Sequence, residues 1–268
     1  MVLSQLETGV RAWLEWHELL GVDAAVDVPG ARVERSEVPA EPATAADSPA
    51  RPAGGASSGA ALVARGCATV DELRRALERF EGCALKATAT RLCFADGSPD
   101  APVMLVGEAP GAEEDRQGKP FVGPSGQLLD RMLASIGLDR RHVWITNVIY
   151  WRPPGNRPPT AQEIATCLPF LQRQIELVAP RLIVSVGGIA ARALFGVDEG
   201  VTRLRGRRFS YQPPEGGPPI PALVMFHPAY LLRQPAQKKL AWRDLLAIRD
   251  SLRETGAWPV AGAAEGVA

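Results

Sequence analysis

Residues able to do chemistry cluster in four short stretches of this chain, each joined to an apolar run. Gly107-Glu108-Ala109-Pro110-Gly111 directly follows Val103-Met104-Leu105-Val106, and Phe121-Val122-Gly123-Pro124-Ser125-Gly126 comes shortly after it. Asn147 closes Val143-Trp144-Ile145-Thr146, while His227 follows Ala222-Leu223-Val224-Met225-Phe226 and opens Pro228-Ala229-Tyr230-Leu231-Leu232-Arg233. An asparagine amide offers a donor and an acceptor side by side. An imidazole N–H aimed at an oxygen stabilises charge that builds there as a bond breaks. The glycine-rich loops present backbone N–H groups, and the ring of Phe121 offers a face for stacking. Glu108 and Glu114 are the nearest carboxylates, and either could orient a water. Taken singly, each residue has a plainer reading: a strand-end turn for Asn147, a structural histidine, a core phenylalanine, a solvated helical turn for Glu114. Their joint placement at strand ends is what points to a site. The 107–111 segment lacks the lysine and the spacing of a phosphate-binding P-loop, which argues against an ATPase.

The elements that must position these residues follow from hydrophobic periodicity. Short apolar runs at residues 103–106, 143–149, 182–186 and 223–226 read as buried strands, separated by helical patterns at 127–136, 161–178 and 189–194. Such alternation predicts an α/β fold: a three-layer α/β/α arrangement around a central, mostly parallel four-stranded sheet. In an open sheet of this kind the carboxyl ends of the strands face one crevice. Thr69-Val70-Asp71-Glu72 has the form of a capping box before an apolar stripe of Leu73, Leu77 and Phe80. Residues 200–211, with Arg203, Arg205, Arg207 and Arg208 around Gly206, read as a basic hairpin, and a last helix is expected over 240–253.

Composition divides the chain further. Leu3, Leu6, Val10, Trp13, Leu14 and Leu20 recur at helical spacing, so residues 1–27 are expected as an amphipathic helical segment that docks on the domain or on a protein partner. Residues 28–62, rich in Ala, Pro and Gly, read as a disordered linker, 63–258 as the folded domain and 259–268 as a flexible tail. With 268 residues, 46% of them hydrophobic, the chain can build a real core, and a formal net charge of zero means that any nucleic-acid contact must come from local patches. No run suits a membrane span or an export signal, and four unevenly spaced cysteines are a poor disulfide framework. A cytoplasmic monomer with no membrane contact is the expectation.

Taken together, Gly-Glu-Ala-Pro-Gly at 107–111, Gly-Lys-Pro-Phe-Val-Gly-Pro-Ser-Gly at 118–126, Ile-Thr-Asn at 145–147 and His-Pro-Ala-Tyr-Leu-Leu-Arg at 227–233 resemble the family-four uracil-DNA glycosylases, in one chain order from about residue 73 to 252. The resemblance implies hydrolysis of the N-glycosidic bond of deoxyuridine in DNA, single or double stranded, as the first step of base-excision repair. It implies that Gly107, Glu108, Ala109, Phe121, Asn147 and His227 hold the uracil, with His227 stabilising the leaving anion and Glu108 or Glu114 serving the water. DNA contacts are expected at Pro124, Ser125, Gly126, Tyr230, Leu231, Leu232, Arg233 and Lys238, with Leu231 as the wedge that fills the gap left by an extruded base. No lysine stands at a motif position to form a Schiff base, so a monofunctional glycosylase is expected. The alternative, from another class, is a DNA-damage or replication-associated binding protein with weak or shifted specificity, toward deaminated purines or a thymine mismatch.

The chain departs from that family at its iron–sulfur cluster. The family holds a four-iron, four-sulfur cluster on four cysteines. Cys83 and Cys167 match two of those positions, whereas Phe80 and Trp151 stand at the other two and supply no thiolate. Cys67 and Cys93 fall at unrelated spacings. The expectation is therefore a branch with no metal and no cofactor, in which the two aromatic residues fill the vacated volume.

Overall fold

The computed structural model describes residues 55–258. A six-stranded sheet forms its centre, in the order β1-β3-β2-β4-β6-β5. The four inner strands, β2 (Val103–Gly107), β3 (Val143–Asn147), β4 (Leu182–Val186) and β6 (Ile220–Met225), are mutually parallel. These are the four expected from apolar runs. The edges are antiparallel additions: β1 (Asp96–Gly97) on β3 and β5 (Arg208–Tyr211) on β6. The four-stranded expectation is thus corrected to six, and the expected hairpin at 200–211 is instead a helical turn, α7 (Val201–Leu204), followed by β5, whose hairpin partner is β6.

Period-two alternation divides the sheet's side chains between two cores. Val103 and Leu105 of β2 face one hydrophobic cluster, and Met104 and Val106 face the other. The first cluster is closed by α4 (Pro124–Ala134), α8 (Pro228–Arg233) and α9 (Lys238–Glu254). The second lies under α1 (Gly55–Arg65), α2 (Val70–Arg79) and α5 (Ala161–Val178). Two further short α-helices are α3 (Ala112–Gln117) and α6 (Gly188–Phe195).

Local signals act as the sequence leads one to expect. The Thr69 hydroxyl accepts from the Glu72 N–H at 3.1 Å and starts α2, which buries Leu73 and Leu77. Thr160 and Glu163 form a reciprocal capping box at the start of α5. The N-terminal boundary is a correction: α1 begins at Gly55, inside the stretch expected as linker, and packs against α5 with Ala60 and Ala64 buried. The amphipathic segment expected at 1–27 and the tail at 259–268 lie outside the described residues. Among the described residues no helix is long and apolar enough to cross a membrane.

Candidate active site

The carboxyl ends of β2, β3 and β6 open into one cavity of about 580 Å³, lined among others by Glu108, Ala109, Phe121, Asn147, His227 and Arg233. Residues far apart in sequence meet there because the strands run side by side, with Gly107 and Asn147 in register at the ends of β2 and β3. Gly107 makes room for this meeting. A Cβ at Gly107 would lie 2.3 Å from Asn147 Oδ1 and 2.6 Å from the Phe121 ring, distances no side chain tolerates.

Asn147 is 1% exposed, and among the described residues its Oδ1 has no hydrogen-bond partner. A buried polar atom without a partner costs about 1–3 kcal/mol, so this oxygen is poised for a donor arriving in the cavity. His227 stands at the N-cap of α8, where its Nδ1 accepts from the Ala229 N–H at 3.1 Å. That bond fixes the tautomer, leaving the proton on Nε2. Burial, reinforced by Arg233 and opposed by Glu114, lowers the His227 pKa to about 4. The group is therefore a neutral N–H donor near pH 7. Phe121 stacks against the His227 ring, with centroids 5.4 Å apart and planes 29° from parallel.

The two candidate carboxylates separate by their contacts. Glu114 Oε1 accepts from the backbone N–H groups of Val122 and Gly123, both at 2.9 Å, and Oε2 accepts from Gly111 at 3.2 Å. Its carboxylate ties the 107–111 loop to the 118–126 loop. Glu114 also lines the cavity, so the clamp lies at the wall where this carboxylate is expected to serve a water. Glu108 lines the cavity, and burial raises its pKa, which makes its carboxylate a better proton acceptor.

Several expected DNA contacts are likewise redistributed. Leu231 is fully buried in the core under α8, so the expected wedge is not available on the surface, whereas Leu232 beside it is 43% exposed. Lys238 is buried rather than presented to solvent. Gly126 is also buried, and its missing side chain serves a backbone contact, since a Cβ there would lie 1.7 Å from the Phe121 carbonyl oxygen. Pro124 and Ser125 at the start of α4, Tyr230 and Arg233 do line the cavity, and Arg233 is exposed.

Sequence reasoning passed over the opposite rim. Pro153, Asn156 and Arg157 line it, and Arg157 is held by Glu163 through bonds of 2.9 and 2.6 Å. The turn-rich Arg-Pro-Pro-Gly-Asn-Arg at 152–157, following so soon after Asn147, was the available signal.

The region where the cluster would sit has a different donor set. Cys83 and Cys167 are buried with their sulfurs 3.9 Å apart. The Phe80 ring folds over Gly82 and meets Phe170 edge-on at 5.0 Å, and Trp151 is buried against Tyr150. Cys93 bonds instead to the Glu114 carbonyl and Cys67 to that of Val63. Two thiols among aromatic hydrocarbon do not match a cluster that needs four soft ligands, and no group of three or more His, Cys, Asp or Glu suited to a metal occurs among the described residues.

Comparison with known proteins identifies the family. The profile of the Uracil DNA glycosylase superfamily matches residues 94–246. A type-4 uracil-DNA glycosylase of Archaeoglobus fulgidus is 39% identical over 171 residues, 62% of this chain and 85% of its own length. Those of Pyrobaculum aerophilum and Thermotoga maritima are 37% and 34% identical, over 66% and 67% of this chain and 91% and 93% of their own. The cavity shared by Asn147 and His227 thus occurs in a chain that belongs to the uracil DNA glycosylase superfamily.

Proposed function

We propose that this protein is a monofunctional uracil-DNA glycosylase that hydrolyses the N-glycosidic bond of deoxyuridine in DNA and so initiates base-excision repair. The observation that carries the reading is the partnerless Asn147 Oδ1 in a cavity shared with Phe121 and a neutral His227. Uracil's N3–H and O4 complement the amide's acceptor and donor, whereas cytosine presents the inverse pattern. The ring of Phe121 stacks on the extruded base. The Nε2–H of His227 meets O2, where negative charge accumulates as the bond to the sugar breaks, and losing such a donor costs about 2.7–4 kcal/mol of barrier. Glu108 orients the water that adds to the cation-like sugar. Among the described residues no lysine lines the cavity, in keeping with hydrolysis without a Schiff base.

On duplex DNA the base must leave the stack, and Leu232 is the apolar side chain placed to fill the gap, with Arg233 beside it for a phosphate. The protein works without an iron–sulfur cluster, as a monomer in the cytoplasm. Incision of labelled oligonucleotides containing uracil, hypoxanthine, a thymine mismatch or cytosine tests the assignment: uracil should be excised by the wild type and cytosine left intact. Asn147→Asp should lose uracil activity and gain some on cytosine. An Asn147→Asp variant as active on uracil as the wild type would refute the reading of the amide.

A further inference from the structure

Phe121 has φ +53°, a left-handed backbone that side chains other than glycine rarely adopt. Strain of this kind persists only where the surroundings enforce it. Here both peptide groups around the residue are held. The following N–H groups, of Val122 and Gly123, belong to Glu114. Arg140 holds the carbonyls on both sides, its guanidinium donating to that of Pro120 at 3.3 Å and to that of Phe121. The bare Cα of Gly126 lets that carbonyl lie against α4.

Arg140 is itself aimed by two carboxylates. Its Nη1 donates to Asp96 on β1 at 2.6 Å, and its Nε donates to Asp130 on α4 at 2.8 Å. A planar fork with several fixed donors can engage two carboxylates and a carbonyl at once, which the single ammonium of lysine cannot. The segment holding it, a 3₁₀ turn at Arg140–His142, runs straight into β3, whose far end carries Asn147. One short stretch of chain thus carries a clamp on the stacking ring at one end and the amide at the other.

We infer that Arg140 is a positioning residue for the reaction: it locks the left-handed backbone at Phe121 and thereby sets the ring against His227 at the cavity wall. The inference rests on the reading of this cavity as the base pocket, but the lock itself is a property of the fold. Released from Arg140, the 120–122 backbone relaxes toward negative φ and carries the ring out of its plane of stacking. Arg140 touches nothing that reacts and acts only through Phe121.

A double-mutant cycle tests this, with Arg140→Gln, Phe121→Ala and the pair, read by single-turnover excision on uracil DNA. Arg140→Gln should slow excision roughly 10- to 100-fold, as a misplaced contact does. In the Phe121→Ala background the same change should cost nothing more. Independent, multiplying losses would overturn the inference. A second readout needs no activity: fluorophenylalanine-labelled protein carries seven phenylalanine signals. Arg140→Gln should move the resonance that Phe121→Ala removes and leave those of distant rings in place. An unmoved Phe121 resonance in Arg140→Gln overturns the lock, whereas a resonance that moves in Arg140→Gln while the wild type excises no uracil overturns only the proposed function. If Arg140→Gln does not fold, Asp130→Asn, which frees one side of the guanidinium, should shift the same signal in the same direction, and no shift there counts against the lock.

Discussion

The two adjacent leucines of α8 give a sharp test, because the sequence points to Leu231 as the wedge whereas the structure buries Leu231 and exposes Leu232. Leu231 is fully enclosed in the core formed by the sheet, α4 and α9, and Leu232 is 43% exposed. Replacing Leu231 by Ala removes a buried side chain and leaves a cavity, at about 2–5 kcal/mol. For a domain of this size each kcal/mol shifts the melting midpoint by about 2–4 °C, so a fall of roughly 4–20 °C is expected. Leu232→Ala gives up a contact already half in water and should change stability by less than about 0.5 kcal/mol. Excision should show the reverse order. At a temperature where both variants are folded, Leu232→Ala should slow release of uracil from duplex DNA more than from a single strand, and Leu231→Ala should not distinguish the two. Thermal melts and paired single-turnover assays measure both quantities. Should Leu231→Ala keep the wild-type midpoint and selectively lose duplex activity, the placement of the leucines on α8 and the wedge argued from it would both be wrong.

Gly107→Ala should abolish most activity, roughly 100-fold or more, since the added methyl drives Asn147 and Phe121 apart; wild-type rates would show that the two need not meet. His227 should titrate near pH 4 in an NMR experiment that follows the chain's three histidines. Because its folded pKa lies below the unfolded value near 6.5, its contribution to stability is complete above pH 6.5 and is lost as pH falls through 4, about 3 kcal/mol in all; a titration near 6.5 would remove the neutral donor. Purified protein should contain no iron or acid-labile sulfide, and Cys83→Ala or Cys167→Ala should keep most activity; about four irons per chain would overturn this.

The four parallel strands and the motifs at their ends were legible because each is a local pattern, an apolar run followed by turn residues. What escaped depended on tertiary placement. Leu231 was expected as a wedge from its spacing to His227, yet α8 begins directly after that histidine, and four residues of helix return the side chain to the face that packs inward. The edge strand β1 is two residues long, too short for any alternation to show. Small residues made 55–62 look like linker, whereas Ala60 and Ala64, one helical turn apart, are what allow α1 to lie close on α5. In Asp139-Arg140-Arg141-His142 nothing in the composition reveals that Arg140 turns inward to two carboxylates and Arg141 outward to Asp139. Lys238 was misassigned for the same reason: a charged side chain near a motif reads as a contact until its burial is known.

The clamp of Glu114 on three backbone N–H groups has a kinetic consequence. A pocket whose walls are already tied together does not need to assemble around its substrate, so little of the binding energy goes into ordering the protein, and what remains is set by the nucleic acid. The pace on duplex substrates then follows how readily the target nucleotide leaves its partner. A uracil facing guanine, held by a weaker wobble pair, should spend longer outside the helix than one facing adenine, and the mispair that records a deaminated cytosine would be cleared first.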